Sequence, residues 1–184
     1  MTHIVQDLLT LSRLDSGIAE LVLSRFPFGE AIESVVRSNV LNAKQRQHEL
    51  TYIPVELPLI VGDRSRLEQV MMNIIGNAVK YTPDGGHIRI TAGSEEDTVW
   101  MQVSDDGIGI PEEDRERIFE RFYRVDKARS RESGGTGLGL SIAREIVQRH
   151  QGTLALVDHK GPGTTIRMTL PIVQERRSAG GTPV

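Results

Sequence analysis

Hydrophobic residues recur at the 3.6-residue period of an amphipathic helix in several stretches of the chain. These stretches are 3–15, about 30–47, about 64–81, and a last one that begins near Gly137 and is closed by Gly152. Asp63 precedes the third stretch, where a side-chain oxygen is expected to cap free amides. We therefore predict a helix in each stretch, with residues 18–27 as a linker after the first.

Short β-branched or alternating runs between these helices predict strands. They cover 48–53, 57–61, 87–93, 98–104, 153–158 and 164–170. A short helix is predicted after Pro111, and the tail from Gln174 has the composition of a disordered segment. Because strands and helices do not alternate as βαβ units, we expect an α+β fold. Its two layers would be a mixed, mostly antiparallel sheet and about three helices.

The composition excludes several classes of function. The 184 residues include no cysteine, which removes disulfides, zinc–thiolate sites and cysteine nucleophiles. The net charge of −3 gives no general attraction for nucleic acid. No apolar run approaches the roughly 20 residues of a membrane span, and the first residues lack a secretory signal. We therefore expect a soluble, cytoplasmic piece that binds no nucleic acid.

Three polar residues form a narrow stripe on the otherwise apolar third helix. Asn73, Asn77 and Lys80 lie at positions i, i+4 and i+7. Two asparagines in the middle of a helix carry a cost, and amide oxygens are suitable ligands for Mg²⁺ beside phosphate. A polar face packed against polar backbone explains the stripe equally well.

A second motif, Asp105-Asp106-Gly107-Ile108-Gly109, follows a predicted strand. The two glycines permit a tight turn with close ligand approach. A carboxylate at the end of a strand can accept a hydrogen bond from the amino group of adenine. Taken alone, the motif is explained more simply as a plain turn.

A third motif, the glycine-rich run 134–140, leads into the last helix. Free amides at a helix N-terminus, with glycines beside them, form an anion site. The third glycine comes one position too early for a dinucleotide-binding fingerprint, and no P-loop sequence is present.

Segment 118–127 places Phe119 and Phe122 beside several cations. It is compatible with a helix that has core aromatics and solvated charges. The functional alternative is a mobile lid, anchored by the phenylalanines, from which an arginine reaches phosphate.

In combination, these segments resemble the ATP-binding catalytic domain of bacterial sensor histidine kinases over about residues 28–172. Residues 73–81 resemble the asparagine box of that family, 105–109 its first glycine box, 119–122 its phenylalanine box and 135–140 its second glycine box. The run 121–139 is most similar to the subgroup that senses cell-wall, phosphate or respiratory state. The resemblance implies the Bergerat fold of GHKL ATPases, with ATP and Mg²⁺ as cofactors.

The resemblance also implies roles at the phosphate end of such a site. Asn77 would ligate Mg²⁺, with Asn73 in support of the metal and phosphates. Lys80 would contact phosphate, and Arg124 would stabilise the γ-phosphate. The phosphate chain would be held by backbone amides, namely those of Thr136, Gly137, Leu138, Gly139 and Leu140.

At the adenine end, Asp105 would bond the amino group, and Tyr81 would pack near the nucleotide. Gly107, Gly109 and Ile110 would complete this part of the nucleotide site. Thr164 is a further candidate, acting through a water.

The resemblance divides the chain into four parts. Residues 1–17 would be the end of a dimerisation-domain helix, 18–27 a linker, 28–172 the catalytic domain and 173–184 a disordered tail. The phosphoacceptor histidine would lie in a dimerisation domain outside this chain. His48-Glu49-Leu50 mimics that motif, but we interpret it as the start of a strand. His87, His150 and His159 are interpreted as surface or strand-edge residues.

The implied activity is transfer of the ATP γ-phosphate to that histidine, in a parent kinase that is a membrane-anchored homodimer serving a response regulator. Hydrolytic relatives of the fold carry a glutamate as general base one turn before the metal-binding asparagine. Here that position is Asn73, which cannot deprotonate water. A nucleotide-binding module without activity is a second alternative, which the intact motifs disfavour.

Overall fold

The computed structural model describes residues 5, 8–12, 20–125, 136–158 and 161–172. A five-stranded sheet forms one layer. Its strands are β2 (Glu49–Tyr52), β4 (His87–Glu95), β5 (Thr98–Asp105), β6 (Thr153–Leu156) and β7 (Thr164–Pro171). Their order across the sheet is β2-β4-β5-β7-β6. Strand β2 pairs in parallel with β4, and the remaining neighbours are antiparallel. The expected mixed, mostly antiparallel sheet is thus confirmed.

The helices form the second layer. They are α1 (Phe28–Gln45), α2 (Arg64–Tyr81) and α3 (Gly139–Arg149). A separate two-stranded sheet pairs β1 (Ser24–Pro27) with β3 (Leu59–Gly62) in antiparallel fashion. Two short 3-10 segments, Glu112–Asp114 and Arg117–Phe119, follow the strand β5.

The core lies between the two layers and follows from the period of each element. Along β5, alternate residues Val99, Met101 and Val103 are buried against the helices. Helix α2 contributes a broader apolar face, with Leu67, Val70, Met71, Ile74, Ile75, Ala78 and Val79 buried. Full burial of each large aliphatic side chain contributes about 1.5–3 kcal/mol, so this interface fixes α2 firmly on the sheet.

Helix α2 is the element that the pattern predicts best. Its bounds are the predicted 64–81, and the Asp63 carboxylate accepts a hydrogen bond from Arg66 N at 3.1 Å. Helix α1 starts two residues earlier than predicted, at Phe28, which is fully buried. The described residues of the predicted first helix, 5 and 8–12, are helical.

Three local predictions need correction. Residues Ser24–Pro27, predicted as linker, form the strand β1 because they pair with β3. The predicted helix after Pro111 is only two 3-10 turns. His150 is not a surface residue: it is 8% exposed, and its Nε2 accepts a hydrogen bond from Asp63 N at 2.9 Å.

The domain boundaries stay predictions. The tail 173–184 and His159 lie outside the described residues. Within the part of the chain that the structure describes, no helix combines the length and the hydrophobicity needed to cross a membrane.

Candidate nucleotide site

The polar stripe of α2 is only partly engaged by the protein. Asn73, Asn77 and Lys80 are all half-buried. Asn73 Nδ2 donates to the carbonyl of Gly139 at 3.0 Å, which leaves the Asn73 amide oxygen as an acceptor. Among the described residues, Asn77 makes no hydrogen bond and Lys80 no ion pair. Lys80 Nζ does lie 5.1 Å from the centroid of the Tyr81 ring.

A third mid-helix asparagine shows what a purely structural role looks like. Asn39 in α1 is 2% exposed. Its Nδ2 donates to Val35 O at 2.9 Å and contacts Met72 Sδ at 3.2 Å. A buried amide needs such partners, because leaving it unpaired costs about 1–3 kcal/mol. Asn77 has no comparable partner in the described chain and remains accessible, which is the state of a side chain available to a ligand.

The Asp105 carboxylate is held in a fixed orientation at the end of β5. Its Oδ1 accepts hydrogen bonds from Gly107 N at 2.9 Å and from Thr164 N at 3.2 Å. The side chain is half-buried. Two backbone donors on one oxygen stabilise the carboxylate and restrict its orientation. Thr164 thus reaches Asp105 through its backbone amide.

The Asp105 turn, residues 105–109, packs so closely on its neighbours that glycine is required both within it and at the residue that lies against it. Gly163 has φ 102°, and a Cβ there would lie 1.8 Å from Asp105 O. A Cβ at Gly107 would lie 2.6 Å from Tyr81 O. Gly109 has φ 72° and lies against Gly163. The contact at Gly107, with a hydrogen bond of 3.3 Å from Ile108 N to Tyr81 O, joins the turn to the end of α2. Ile110 follows it, half-buried.

The N-terminus of α3 carries free amides beside the same helix. Gly137 has φ 73°, so the helix begins only at Gly139, two residues later than predicted. Leu138 N donates to Thr136 Oγ1 at 3.2 Å. The first intrahelical bond runs from Ile142 N to Leu138 O at 2.9 Å. The amides of Gly139 and Leu140 therefore precede the helical ladder and point out of the N-terminus.

Two contacts place these segments along α2. The α3 N-terminus meets α2 at Asn73, and the Asp105 turn meets it at Tyr81. Eight residues of helix separate the two points, which corresponds to about 12 Å. Asn77 and Lys80 lie between them. The structure thus brings both glycine-containing segments into contact with the helix that carries the predicted asparagine box.

The predicted lid is described only at its base. Phe119 packs against the core, whereas the Phe122 side chain is 63% exposed and does not serve as an apolar anchor. Phe122 contributes its backbone instead: its N donates to Gly137 O at 3.0 Å. Arg124 is half-buried, and its Nη2 has no hydrogen-bond partner in the described part of the chain. Residues 126–135, including Gly134 and Gly135, lie outside the described residues.

One ion pair beside the Asp105 turn was not predicted. Asp106 accepts a bond from His87 N at 2.7 Å, and its other oxygen lies 2.7 Å from His87 Nδ1. The hydrogen bond to Asp106 raises the pKa of His87, and the bond from the His87 backbone lowers the pKa of Asp106. The sequence offered no signal for it, because the two residues are 19 positions apart.

Comparison with known proteins assigns the chain to a family. The family described as "Histidine kinase-, DNA gyrase B-, and HSP90-like ATPase" matches residues 62–174, more than half of the chain. The chain belongs to this ATPase family. The matched region includes α2, the Asp105 turn and the N-terminus of α3, which together form the candidate site.

Relatives and solved structures narrow the family to its histidine-kinase branch. The chain is 40% identical over 178 residues to the sensor histidine kinase WalK of Bacillus subtilis, covering 96% of this chain and 29% of WalK. The nucleotide-free catalytic domain of histidine kinase ThkA superposes with a TM-score of 0.71 at 29% identity, covering 81% of this chain and 97% of that one. Full-length ShkA in complex with AMPPNP gives a TM-score of 0.79 at 29% identity, covering 93% of this chain and 35% of that one.

These matches bear out the predicted fold and the predicted type of domain. The chain is an ATP-binding catalytic domain of the sensor histidine kinase type. It spans under a third of the length of WalK. The individual roles of the site residues stay predictions.

Proposed function

We propose that this histidine-kinase-type ATPase domain binds ATP with Mg²⁺ along α2 and presents the γ-phosphate to a histidine on a dimerisation domain outside this chain. The observation that carries the proposal is that two glycine-containing segments contact α2 on either side of Asn77. Asn73 bonds the α3 N-terminus, Tyr81 bonds the Asp105 turn, and the Asn77 amide between them is left without a described partner.

The donor set fits Mg²⁺ bound together with a triphosphate. Mg²⁺ prefers hard oxygen ligands and usually takes one or two from protein, the others from phosphate and water. No cluster of three or more histidine or acidic side chains forms a metal cage among the described residues. A single amide oxygen, that of Asn77, supplies a ligand without adding negative charge beside the phosphates. Bound Mg²⁺ would neutralise charge that develops on the phosphates during transfer.

The residues of this chain would act mainly by positioning and charge neutralisation, which is what phosphoryl transfer demands of a protein. Lys80, without an ion pair in the described chain, is available to phosphate oxygens. The amides of Gly139 and Leu140 would bond the phosphate chain. Arg124, at the base of the lid, would reach the γ-phosphate.

At the other end, the Asp105 carboxylate would accept a hydrogen bond from the adenine amino group. Guanine presents a carbonyl at that place, so a fixed carboxylate would reject it. The backbone donors of Gly107 and Thr164 hold the carboxylate ready for this contact.

Transfer is favoured over hydrolysis by the chemistry of Asn73. Its amide cannot take a proton from water, and its Nδ2 is engaged by Gly139 O. A dedicated ATPase of this fold would need a carboxylate there as general base.

The acceptor histidine would come from the dimerisation domain of a homodimeric, membrane-anchored parent, and a response regulator would receive the phosphate.

Reconstitution with γ-labelled ATP tests the proposal. The chain alone should bind Mg-ATP yet label itself poorly. Addition of the purified dimerisation domain of the parent should give a base-stable, acid-labile phosphohistidine on that domain. Strong labelling of the chain itself, or steady-state hydrolysis at the rate of dedicated ATPases, would contradict the proposal.

A further inference from the structure

The last turn of α2 is held by donors from outside the helix. The final carbonyls of a helix lack intrahelical partners and need others. Arg46 Nη1 donates to two of them, Val79 O at 2.8 Å and Lys80 O at 3.0 Å. The next carbonyl, Tyr81 O, accepts from Ile108 N in the Asp105 turn.

His48 holds the two carbonyls that follow. Its Nε2 lies 3.1 Å from Thr82 O and 3.1 Å from Pro83 O. Both neighbours can only accept, so Nε2 carries the hydrogen. The ring is 6% exposed, which makes these bonds costly to lose. Every carbonyl from residue 79 to residue 83 therefore has a donor that does not belong to α2.

The connection between α1 and β2 supplies both side chains. Gln47 lies between Arg46 and His48 and has φ 56°, a left-handed conformation that turns the chain there. Arg46 is itself fixed, because its carbonyl accepts from Gly85 N at 3.1 Å and its Nε pairs with Asp84 Oδ1 at 3.0 Å. The carbonyls that Arg46 holds belong to the turn that carries Lys80.

We infer that Arg46, supported by His48, is a positioning residue for nucleotide binding. It fixes the helical turn that carries Lys80 and so positions the Lys80 ammonium group for contact with phosphate. The inference rests on the proposed function, in which Lys80 contacts phosphate. A purely structural cap would stabilise the fold without changing how well a folded chain binds ATP.

A double-mutant cycle between Arg46 and Lys80 separates these two roles. Mg-ATP binding is measured by calorimetry on Arg46→Ala, Lys80→Ala and the double variant, at a temperature where circular dichroism shows each to be folded. The matched control is Arg37→Ala, because Arg37 lies on α1 with a side chain 74% exposed and, among the described residues, pairs only with Glu33 at 4.0 Å.

We expect Arg46→Ala to weaken Mg-ATP binding by about tenfold, the size typical of coupled sites. Because Arg46 acts through Lys80, the double variant should bind about as weakly as Lys80→Ala alone. Arg46→Lys keeps the charge near the helix C-terminus but loses the planar guanidinium fork, so it should recover only part of the affinity.

Two results would overturn the inference. One is a folded Arg46→Ala that binds Mg-ATP like the Arg37→Ala control. The other is a double variant whose loss of binding free energy equals the sum of the losses in Arg46→Ala and Lys80→Ala. If Arg46→Ala does not fold, Arg46→Lys replaces it in the cycle under the same criteria. Failure of the wild-type chain and of Arg37→Ala to bind Mg-ATP would instead reject the proposed function, and this inference with it.

Discussion

The two ends of the candidate site are built in opposite ways. At the end proposed to bind the adenine base, called the base end, the Asp105 carboxylate already accepts two backbone hydrogen bonds. Glycines with positive φ fix the conformation of the chain around it. At the phosphate end, Asn77 and Lys80 have no hydrogen-bond or ion-pair partner among the described residues. The fold thus orients the base end before any ligand arrives, whereas ligand is needed to complete the phosphate end.

This difference has a physical reason. A half-buried carboxylate must be compensated within the protein, because burial of an unpaired charge is costly. An accessible amide or ammonium group can be hydrated and can exchange its water for phosphate or metal. The two ends should therefore respond differently to substitution. A change at Asp105 should alter the preference for adenine over guanine, whereas a change at Asn77 should alter how ATP affinity depends on magnesium.

The largest effect is expected from Asn77→Ala. Loss of the single protein oxygen proposed for the metal should weaken Mg-ATP binding by about 100-fold, and added magnesium should no longer improve ATP affinity. Calorimetric titrations with and without magnesium measure both quantities. Preference for adenine over guanine should be unchanged.

Asn39→Ala is the matched control for that substitution. Asn39 is buried and bonded to Val35 O, so its loss should lower the free energy of unfolding by roughly 1–3 kcal/mol. Its Mg-ATP affinity should equal that of the wild type. An Asn77→Ala chain whose ATP affinity still depends on magnesium would refute the proposed role of Asn77 as a metal ligand.

A smaller loss is expected from Asp105→Asn. The amide oxygen can still accept from Gly107 and Thr164, but the amide NH₂ then faces the adenine amino group. ATP affinity should fall roughly tenfold, and discrimination against GTP should shrink, because a charged hydrogen bond is lost. Competition titrations with ATP and GTP measure this, and retained discrimination would refute the role of Asp105.

The smallest effect concerns the exposed pair of His87 and Asp106. The pKa of His87 is raised above its ordinary 6.5, so its contribution to stability is complete below that value and is lost as pH rises through the raised pKa. The pKa of Asp106 is lowered from 3.8, so its contribution is present above that value and lost in stronger acid. The pair therefore stabilises the fold in mildly acidic solution.

Thermal unfolding of the wild type and His87→Gln tests this prediction. At about pH 5.5 the wild type should unfold at a slightly higher temperature than His87→Gln, and this difference should vanish at about pH 9. Both chains should bind ATP alike at the higher pH. A difference that grows with pH would show that the pair acts in another way.

The parts of the fold that sequence patterns predict are those determined locally. The bounds of α2 follow from its apolar period and from Asp63, whose carboxylate bonds an amide three residues on. The stripe of Asn73, Asn77 and Lys80 follows from helix geometry alone. Combined with the glycine-containing motifs, it carried the resemblance to histidine kinase catalytic domains.

The missed features depend on contacts between distant segments. Strand β1 exists because Ser24–Pro27 pairs with Leu59–Gly62, and no alternation of apolar residues announces it. Arg46 and His48 act on carbonyls more than 30 positions away. The buried His150 bonds the backbone of Asp63, 87 positions distant. Periodicity cannot reveal such pairings, since each is specified by the assembled fold.

The central claim is that Asp105 and Asn77 serve the two ends of one nucleotide. It can be tested against a rival location, a groove of about 400 Å³ on the outer side of α3 whose lining includes Phe119, Arg144 and Gln148. The direct measurement is a crystal structure of the chain with a non-hydrolysable ATP analogue and Mn²⁺.

In that structure, the adenine amino group should lie within hydrogen-bond distance of the Asp105 carboxylate. The anomalous peak of the metal should lie within about 0.2 Å of the roughly 2.1 Å that separates Mg²⁺ from its oxygen ligands, measured from Asn77 Oδ1. A nucleotide bound in the groove beside Phe119, or a metal peak away from Asn77, would contradict the account.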